Sequence, residues 1–381
     1  MLTERGCLER RKRLWKALPD DCEWVLIADP RHVLYFANFL VNPISFSTSE
    51  RGLLLLERSG KATLIAENFT RRTASAEPFV DDEIGNDVDD KWYDHKHSVQ
   101  NRDHALFDRL SRVADRIKGP GLVEAEWLPA MAAARLGLGY DALSGDVGSV
   151  VRKLRRQKHA DEIALLEKCM RACEVGHARA LEVAKEDVSE LDIYREIQSA
   201  AIAEAACPAI VYGDFRPVNA ENPKRGGLPT PQKLKAGDML IVDYSVVLSG
   251  YRSDFTNTIA IGEMTAEQEK LFSVCEGAMA AGESVFKVGA AAKDVYHAAS
   301  AVMEEAGFAS LAHHAGHGLG LGHPESPALV PESEDTLLVG DVVTLEPGMY
   351  VKGVGGVRIE HNYLITESGY RRLSNHRIAL R

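Results

Sequence analysis

Apolar and polar positions follow two rhythms along this chain. Residues 4–18 have the three-to-four spacing of an amphipathic helix that stops before Pro19. The run WVLIA at 24–28 predicts a strand, and DPRHVLYFANF at 29–39 predicts a turn and a short helix. Two apolar runs at 53–56 and 62–65 flank Arg58-Ser59-Gly60 and predict a hairpin. A helix over 106–117 and a short strand over 121–124 complete an alternation that points to an α/β domain across residues 1–150. Beyond it, Ile163, Leu166, Met170 and Cys173 repeat at helical spacing after an acidic opening at Asp161-Glu162. Further helices are expected at 190–206, 265–286 and 292–308, and strands at 341–351 and 357–366. Seven glycines and prolines between Gly213 and Pro231 predict a loop.

Composition narrows the function classes. At 381 residues the chain is long enough for two cores. A net charge of −11 argues against nucleic acid as a partner. No run approaches the ~20 apolar residues of a membrane span, and the charged N-terminus carries no signal-peptide core. The six cysteines include no C-x-x-C pair, so reduced thiols and a cytoplasmic location are expected. The basic run VVRKLRRQK at 150–158 reads as a solvated connection between domains. His95 and His97 fall in a stretch rich in Asp, Lys and His that reads as a solvated loop.

The candidate chemistry begins at residues 238–262. Two β-prone runs meet at Ser249-Gly250, a hairpin connection. In that register Asp243 faces Thr256, and Asp254 lies one diagonal step away on the same face. Two carboxylates so close repel each other and call for a shared proton or a metal pair. A second passage echoes the first. Gly237-Asp238 precedes MLIV and Asp243, while Gly340-Asp341 precedes VVTL and Glu346, with Glu360 on the returning strand. Paired acids at corresponding places suggest pseudo-twofold halves facing one site. The glycine-rich stretch HHAGHGLGLGHPESP at 313–327 adds the imidazoles of His313, His314, His317 and His323. Four carboxylates and an imidazole suit two divalent ions such as Mn²⁺, Fe²⁺, Co²⁺ or Zn²⁺ better than a thiolate site would. Two such ions ~4 Å apart point to hydrolysis.

The spacing Asp243, Asp254, His317, Glu346, Glu360 resembles the M24 metallopeptidases, the family of methionine aminopeptidase, aminopeptidase P, prolidase and creatinase. The phrases LIVDYSVVLSGYRSDFTNTIAIG, GHGLGLGHPESP, TLEPGMYV and GVRIEHNYLI carry the likeness. An N-terminal domain followed by K-x-x-D-E-I-A-L-L at Lys158 resembles the creatinase, prolidase and aminopeptidase P branch. The resemblance implies an α/β (α+β) chain with a creatinase-like α/β domain over 1–150. A catalytic "pita-bread" domain with pseudo-twofold halves would span 151–381. It further implies that Asp243 chelates one ion, His317 and Glu346 the other, and that Asp254 and Glu360 bridge them. Two divalent ions per chain follow, Mn foremost and Co, Zn or Fe as alternatives. A bridging hydroxide would attack the scissile carbonyl while a metal polarises its oxygen. His313, His323 and Glu325 are the expected catalytic residues around that centre.

The chain also departs from the family. Pro324 stands where the family has a substrate-contacting histidine, with Glu325 and Pro327 in place and His323 one residue early. Gly226 stands at a second usual histidine position. Arg225, His323 or His361 are the candidates to substitute. The implied activity is cleavage of short peptides at Xaa-Pro bonds. The alternatives are hydrolysis of a small non-peptide amide and a catalytically silent binding module. The family often forms homodimers, and the apolar stretch 38–46 would serve such a contact or a core equally well.

Overall fold

The computed structural model describes residues 1–41, 51–67, 70–71, 74, 76–85, 102–139 and 145–381. His95, His97 and most of the stretch 38–46 lie outside the described residues. The chain divides into two compact units, Met1–Arg155 and Arg156–Arg381. Among the described residues no helix is long and apolar enough to cross a membrane.

In the first unit, β1 (Trp24–Ile27), β2 (Leu53–Glu57), β3 (Ala62–Ile65), β4 (Asp82–Ile84) and β5 (Gly121–Val123) form one sheet. Their order is β4-β3-β2-β1-β5, antiparallel at β1/β2 and β2/β3 and parallel at β1/β5 and β3/β4. Among the described residues the unit also has helices α1 (Glu4–Ala17), α2 (Pro30–Ala37), α3 (Arg102–Leu110), α4 (Ala130–Arg135) and α5 (Gly148–Leu154). The helix expected over 106–117 ends at Leu110 and continues as a 3₁₀ turn, Ser111–Arg116. Glu124, almost wholly buried, ties three segments together. Its Oε2 accepts from the amides of Ala28 and Asp29 at 2.8 and 2.6 Å, and its Oε1 meets His32. Satisfying each lone pair offsets the cost of burying the charge.

The second unit opens with α6 (Ala160–Val183) and α7 (Glu190–Ala205), then β6 (Ile210–Val218), β7 (Met239–Leu248), β8 (Tyr251–Arg252) and β9 (Phe255–Ala260). It continues with α8 (Ala266–Val285), α9 (Ala292–Glu305), β10 (Gly316–Gly318), β11 (Glu325–Leu329), β12 (Val342–Leu345), β13 (Gly348–Val351), β14 (Gly355–Arg358), β15 (His361–Thr366) and β16 (Gly369–Arg372). Side-chain caps start two of the helices. Ser189 Oγ accepts from Asp192 N at 3.1 Å, and Thr265 and Gln268 form a reciprocal capping box. Cys275, Ala278, Met279, Val295 and Met303 of α8 and α9 pack on Met239, Ile241, Leu345 and Tyr363 of the sheets. The cysteines are free thiols, buried except for Cys207, which is partly exposed.

The echo in the sequence is an echo in hydrogen bonding. Gly237 N donates to Ile261 O at 2.8 Å and Gly340 N to Ile365 O at 2.9 Å. Asp238 N donates to Lys235 O and Asp341 N to Leu338 O, both at 3.0 Å. Each aspartate then caps the same amide with its side chain, Lys235 N at 2.9 Å and Leu338 N at 2.8 Å. Both glycines have positive φ, +88° and +94°, which the corner requires. Thus each half turns through the same Gly-Asp corner into a strand that brings in a candidate ligand five residues on, Asp243 or Glu346.

Three local expectations need correction. The loop expected from 213 contains the end of β6, which pairs with β7 along its whole length, Pro217 opposite Leu240. Pro tolerates an edge strand because one side of its backbone needs no donor. Gly213 permits the close approach, since a Cβ there would lie 2.1 Å from Asp243 O. The strands expected at 341–351 and 357–366 are four, because the β13–β14 hairpin interrupts the path between β12 and β15. The basic run at 150–158 does span the boundary between the two units, but it is solvated only in part: Arg152, Lys153 and Gln157 are exposed, while Arg155, Arg156 and Lys158 are buried. Arg156 grips Asp341 with Nε and Nη2 at 3.0 and 2.7 Å, and Lys158 Nζ meets Glu325 Oε1 at 2.7 Å. Their partners lie far along the chain, so local charge patterning gave no sign of them.

Candidate metal centre and substrate cavity

All five expected ligands come from strands or their ends. The β7–β9 ladder pairs Asp243 with Thr256, and the turn residues Ser249 and Gly250 both have positive φ, 51° and 83°. These values fit a tight hairpin turn and hold the register. Asp254 lies in the two-residue break between β8 and β9, directly before β9. In the other half β12 pairs with β15, Leu345 opposite His361, which sets Glu346 and Glu360 just beyond the end of the ladder. The halves are sewn together at the site. Glu360 N donates to Thr256 O at 3.0 Å, Thr256 Oγ1 to Glu360 Oε2 at 2.7 Å, and Asp254 N to Asn362 Oδ1 at 3.2 Å.

His317 lies on β10 and is oriented from both sides. Its amide donates to Thr344 Oγ1 at 3.1 Å, and its Nδ1 lies 3.0 Å from Gly318 O. The carbonyl places the proton on Nδ1 and leaves the Nε2 lone pair facing Asp254 Oδ2 and Glu346 Oε1, each at 3.5 Å. Three trios of ligand atoms each fall within 4.8 Å: Asp243–Asp254–Glu360, Asp254–His317–His323 and His313–His314–Glu346. All five expected ligands are therefore drawn into one cluster.

Its electrostatics favour a bound proton or cation. Glu360 is 1% exposed and its Oε1 has no hydrogen-bond partner. Burial, then repulsion from Asp254, Glu346 and Asp243, holds its carboxyl well above the usual carboxylate range. Burial likewise pushes Asp243 up to about 7 against the pull of Arg358. Burial raises Glu346 as well, but His314, His317 and Arg358 outweigh it and hold the group at about 2. An orphaned buried carboxylate oxygen in a hard oxygen and imidazole donor set fits divalent ions.

The cluster forms the floor of a cavity of about 240 Å³, with Asp243, Asp254, His317 and Glu346 on its lining. Asp214, Lys224, His313, His314, His323 and Arg358 also line it. Of the three expected catalytic residues, His313 and His323 reach this space. His323 Nε2 stands 2.7 Å from Asp254 Oδ2, and that contact outweighs burial and raises its pKa. Burial lowers His313 to about 4; its Nδ1 faces His314 O at 2.8 Å and its Nε2 the Tyr350 hydroxyl at 3.3 Å. Glu325 is not on the lining; it pairs with Lys158, and its Oε2 accepts from Gly322 N at 3.0 Å.

Of the three candidate substitutes, only His323 lines the cavity. Arg225 bonds Gln232 at 3.1 Å, and buried His361 bonds Ser374 Oγ at 2.7 Å. A side chain at position 226 would have to displace the Asp214 carboxylate. A Cβ there would lie 2.7 Å from Asp214 Oδ2, and Asp214 Oδ1 accepts from Gly227 N at 2.6 Å.

Sequence reasoning missed Arg358, Tyr350, Asp214, Lys224 and His314. Arg358 Nη2 meets Asp243 Oδ2 and lies 3.5 Å from Asp214, while Nη1 donates to the Tyr350 hydroxyl at 3.0 Å. Arg358 stands two residues before Glu360, a spacing that was open to reading as one face. His314 Nδ1 is 3.3 Å from Glu346 Oε1, and it was hidden among four clustered histidines.

Comparison with known proteins fits this arrangement. An uncharacterized peptidase of Staphylococcus aureus strain USA300 is 28% identical over 364 residues, 93% of this chain and 95% of its own. The dipeptidase from Pyrococcus horikoshii OT3 superposes with a TM-score of 0.75 at 26% identity, covering 98% of this chain and 99% of its own. The Xaa-Pro dipeptidase from Bacillus anthracis gives 0.76 at 21% identity over 99% of both chains. These likenesses bear out the mixed α/β, pita-bread architecture along nearly the whole chain. The profile of Metallopeptidase family M24 matches residues 164–367, more than half of the chain, and the protein belongs to that family.

Proposed function

We propose that this protein is a dinuclear metal-dependent peptidase of Xaa-Pro type, acting on short peptides. The observation that carries the reading is the buried cluster of Asp243, Asp254, His317, Glu346 and Glu360, with Glu360 Oε1 lacking any partner. Asp243 would hold one ion, His317 and Glu346 the other, and Asp254 and Glu360 both. Manganese is the proposed ion. Such a pair, when bound, supplies a nucleophile at neutral pH and a Lewis acid for the scissile carbonyl.

The remaining roles fall to the chain's own groups. His313, neutral at pH 7 and oriented by His314 O, presents Nε2 beside the Tyr350 hydroxyl at the cavity wall. His323 stands where it can donate to a substrate oxygen, in place of the histidine absent from position 324. Glu325 has a positioning role, since it fixes the turn before His323 through Gly322 N and Lys158. Arg358 holds Asp243 and Tyr350 in one orientation.

A panel of Xaa-Pro dipeptides and Xaa-Pro-Yaa peptides with added Mn²⁺ tests the reading. Turnover that a chelator abolishes is expected. No turnover of any member would overturn it. The second reading, a hydrolase of a small non-peptide amide, draws on the absence of any side chain at Gly226, where Asp214 fills the space. A homodimer in the cytoplasm is proposed as the working state, and sedimentation of the purified protein tests the dimer.

A further inference from the structure

Lys224 is the cavity residue that the metal centre leaves unexplained. Four carboxylates match two divalent ions, and Asp214 already faces Arg358 at 3.5 Å. Among the described residues no carboxylate lies within ion-pair distance of Lys224. Its ammonium instead lies over the Tyr350 ring, 5.1 Å from the centroid. Tyr350 is the residue whose hydroxyl joins His313 to Arg358. The cation is thus stacked on the wall beside the reacting centre.

The backbone under Lys224 is held in place. Asn219 Oδ1 accepts from the amides of Glu221 and Asn222, both at 3.1 Å, and Asn219 N donates to Asn222 O at 3.1 Å. Gly353 N donates to Ala220 O at 2.8 Å. At Gly356 a Cβ would lie 2.0 Å from Pro223 O, so the loop lies directly against β14. Lys224 itself is exposed at the edge of the cavity, but the loop before it is tied down and its ammonium is stacked on the ring, so it brings three donors to the cavity lining. The cavity, about 240 Å³, is smaller than the ~300–1,000 Å³ that houses drug-sized ligands.

We propose that Lys224 receives a carboxylate of the substrate. It thereby selects dipeptides with a free C-terminal carboxylate over amidated or longer peptides. The proposal rests on the peptidase reading above and deepens it. A lysine that only covers the Tyr350 ring would be indifferent to the substrate's terminus, so the two roles separate by experiment.

The test compares an Xaa-Pro dipeptide with its C-terminal amide on the Mn²⁺-loaded enzyme, wild type and Lys224→Met. The wild type should favour the free acid by about tenfold or more in kcat/KM, expressed in KM, because a charge-assisted hydrogen bond is lost in the amide. Lys224→Met should erase the difference, and Lys224→Arg should restore part of it. Equal use of acid and amide by the wild type, or the same preference in Lys224→Met, overturns the proposal. Calorimetric titration with a reduced-bond dipeptide analogue, as acid and as amide, gives a readout without turnover. If no Xaa-Pro substrate is cleaved, the peptidase reading fails, and the titration still decides on Lys224: an acid no tighter than its amide overturns its role.

Discussion

At the scale of single residues, Glu360 is where burial and charge conflict most. It is nearly sealed from water, surrounded by three other carboxylates, and one of its oxygens is unpartnered. Asp254 shares that crowding from the opposite half. In Asp254→Asn, metal content measured after growth with Mn²⁺ should fall from two ions per chain to less than one. Full occupancy would rule out a shared ligand. Metal uptake should also depend on pH. Asp243 rises to about 7 in the metal-free protein, so below pH 7 an ion must displace its proton. Mn²⁺ affinity should therefore drop by about tenfold per pH unit below 7, in titrations at pH 6 and pH 8. A pH-independent affinity would contradict this account. The paired acids were legible in the sequence because Asp243 and Glu346 follow apolar runs, where a bare charge is costly, while His317 was singled out by the resemblance to the M24 metallopeptidases. Lys224 and Asp214 were not, because each reaches the site through a long-range contact that no local pattern encodes.

At the scale of elements, the Gly-Asp corners are the best test of internal symmetry. Asp238 and Asp341 make the same backbone and side-chain bonds, but Asp341 also receives Arg156. Asp238→Ala should cost about 1–3 kcal/mol, the price of unmade buried hydrogen bonds. Asp341→Ala should cost more, toward the lower end of the ~3–5 kcal/mol of a broken buried ion pair, since Arg156 keeps Asp335 and Thr336 O. Urea unfolding of the two variants checks the order, and equal losses would refute it. The hairpin register was readable from Ser249-Gly250 alone, since a two-residue turn leaves little choice. Strand β6 was not, because its Gly213 and Pro217 look like loop residues until β7 is placed beside them. The β13–β14 hairpin was equally hidden inside a continuous β-prone stretch.

At the scale of the whole molecule, the alternation of elements and the Gly-Asp repeat foretold a mixed α/β chain with a twofold second half. The burial of Arg156 and Lys158 did not follow from sequence, because both find partners more than 150 residues away. One further buried group links the fold to pH. His376, held between His177 and His361, is pulled down to about 4 by burial. Its folded pKa lies below the unfolded value of ~6.5. Its contribution is therefore complete above pH 6.5 and is lost as pH falls toward 4. In metal-free protein, the stability gap between wild type and His376→Phe should shift in favour of the variant from pH 7 to pH 5. A gap independent of pH would refute the neutral, buried imidazole. The central claim remains the paired metal centre, and anomalous diffraction from crystals grown with Mn²⁺ tests it most directly. Two peaks ~4 Å apart, enclosed by Asp243, Asp254, His317, Glu346 and Glu360, are the predicted result. A single peak, or manganese bound elsewhere with these five residues bare, would contradict it.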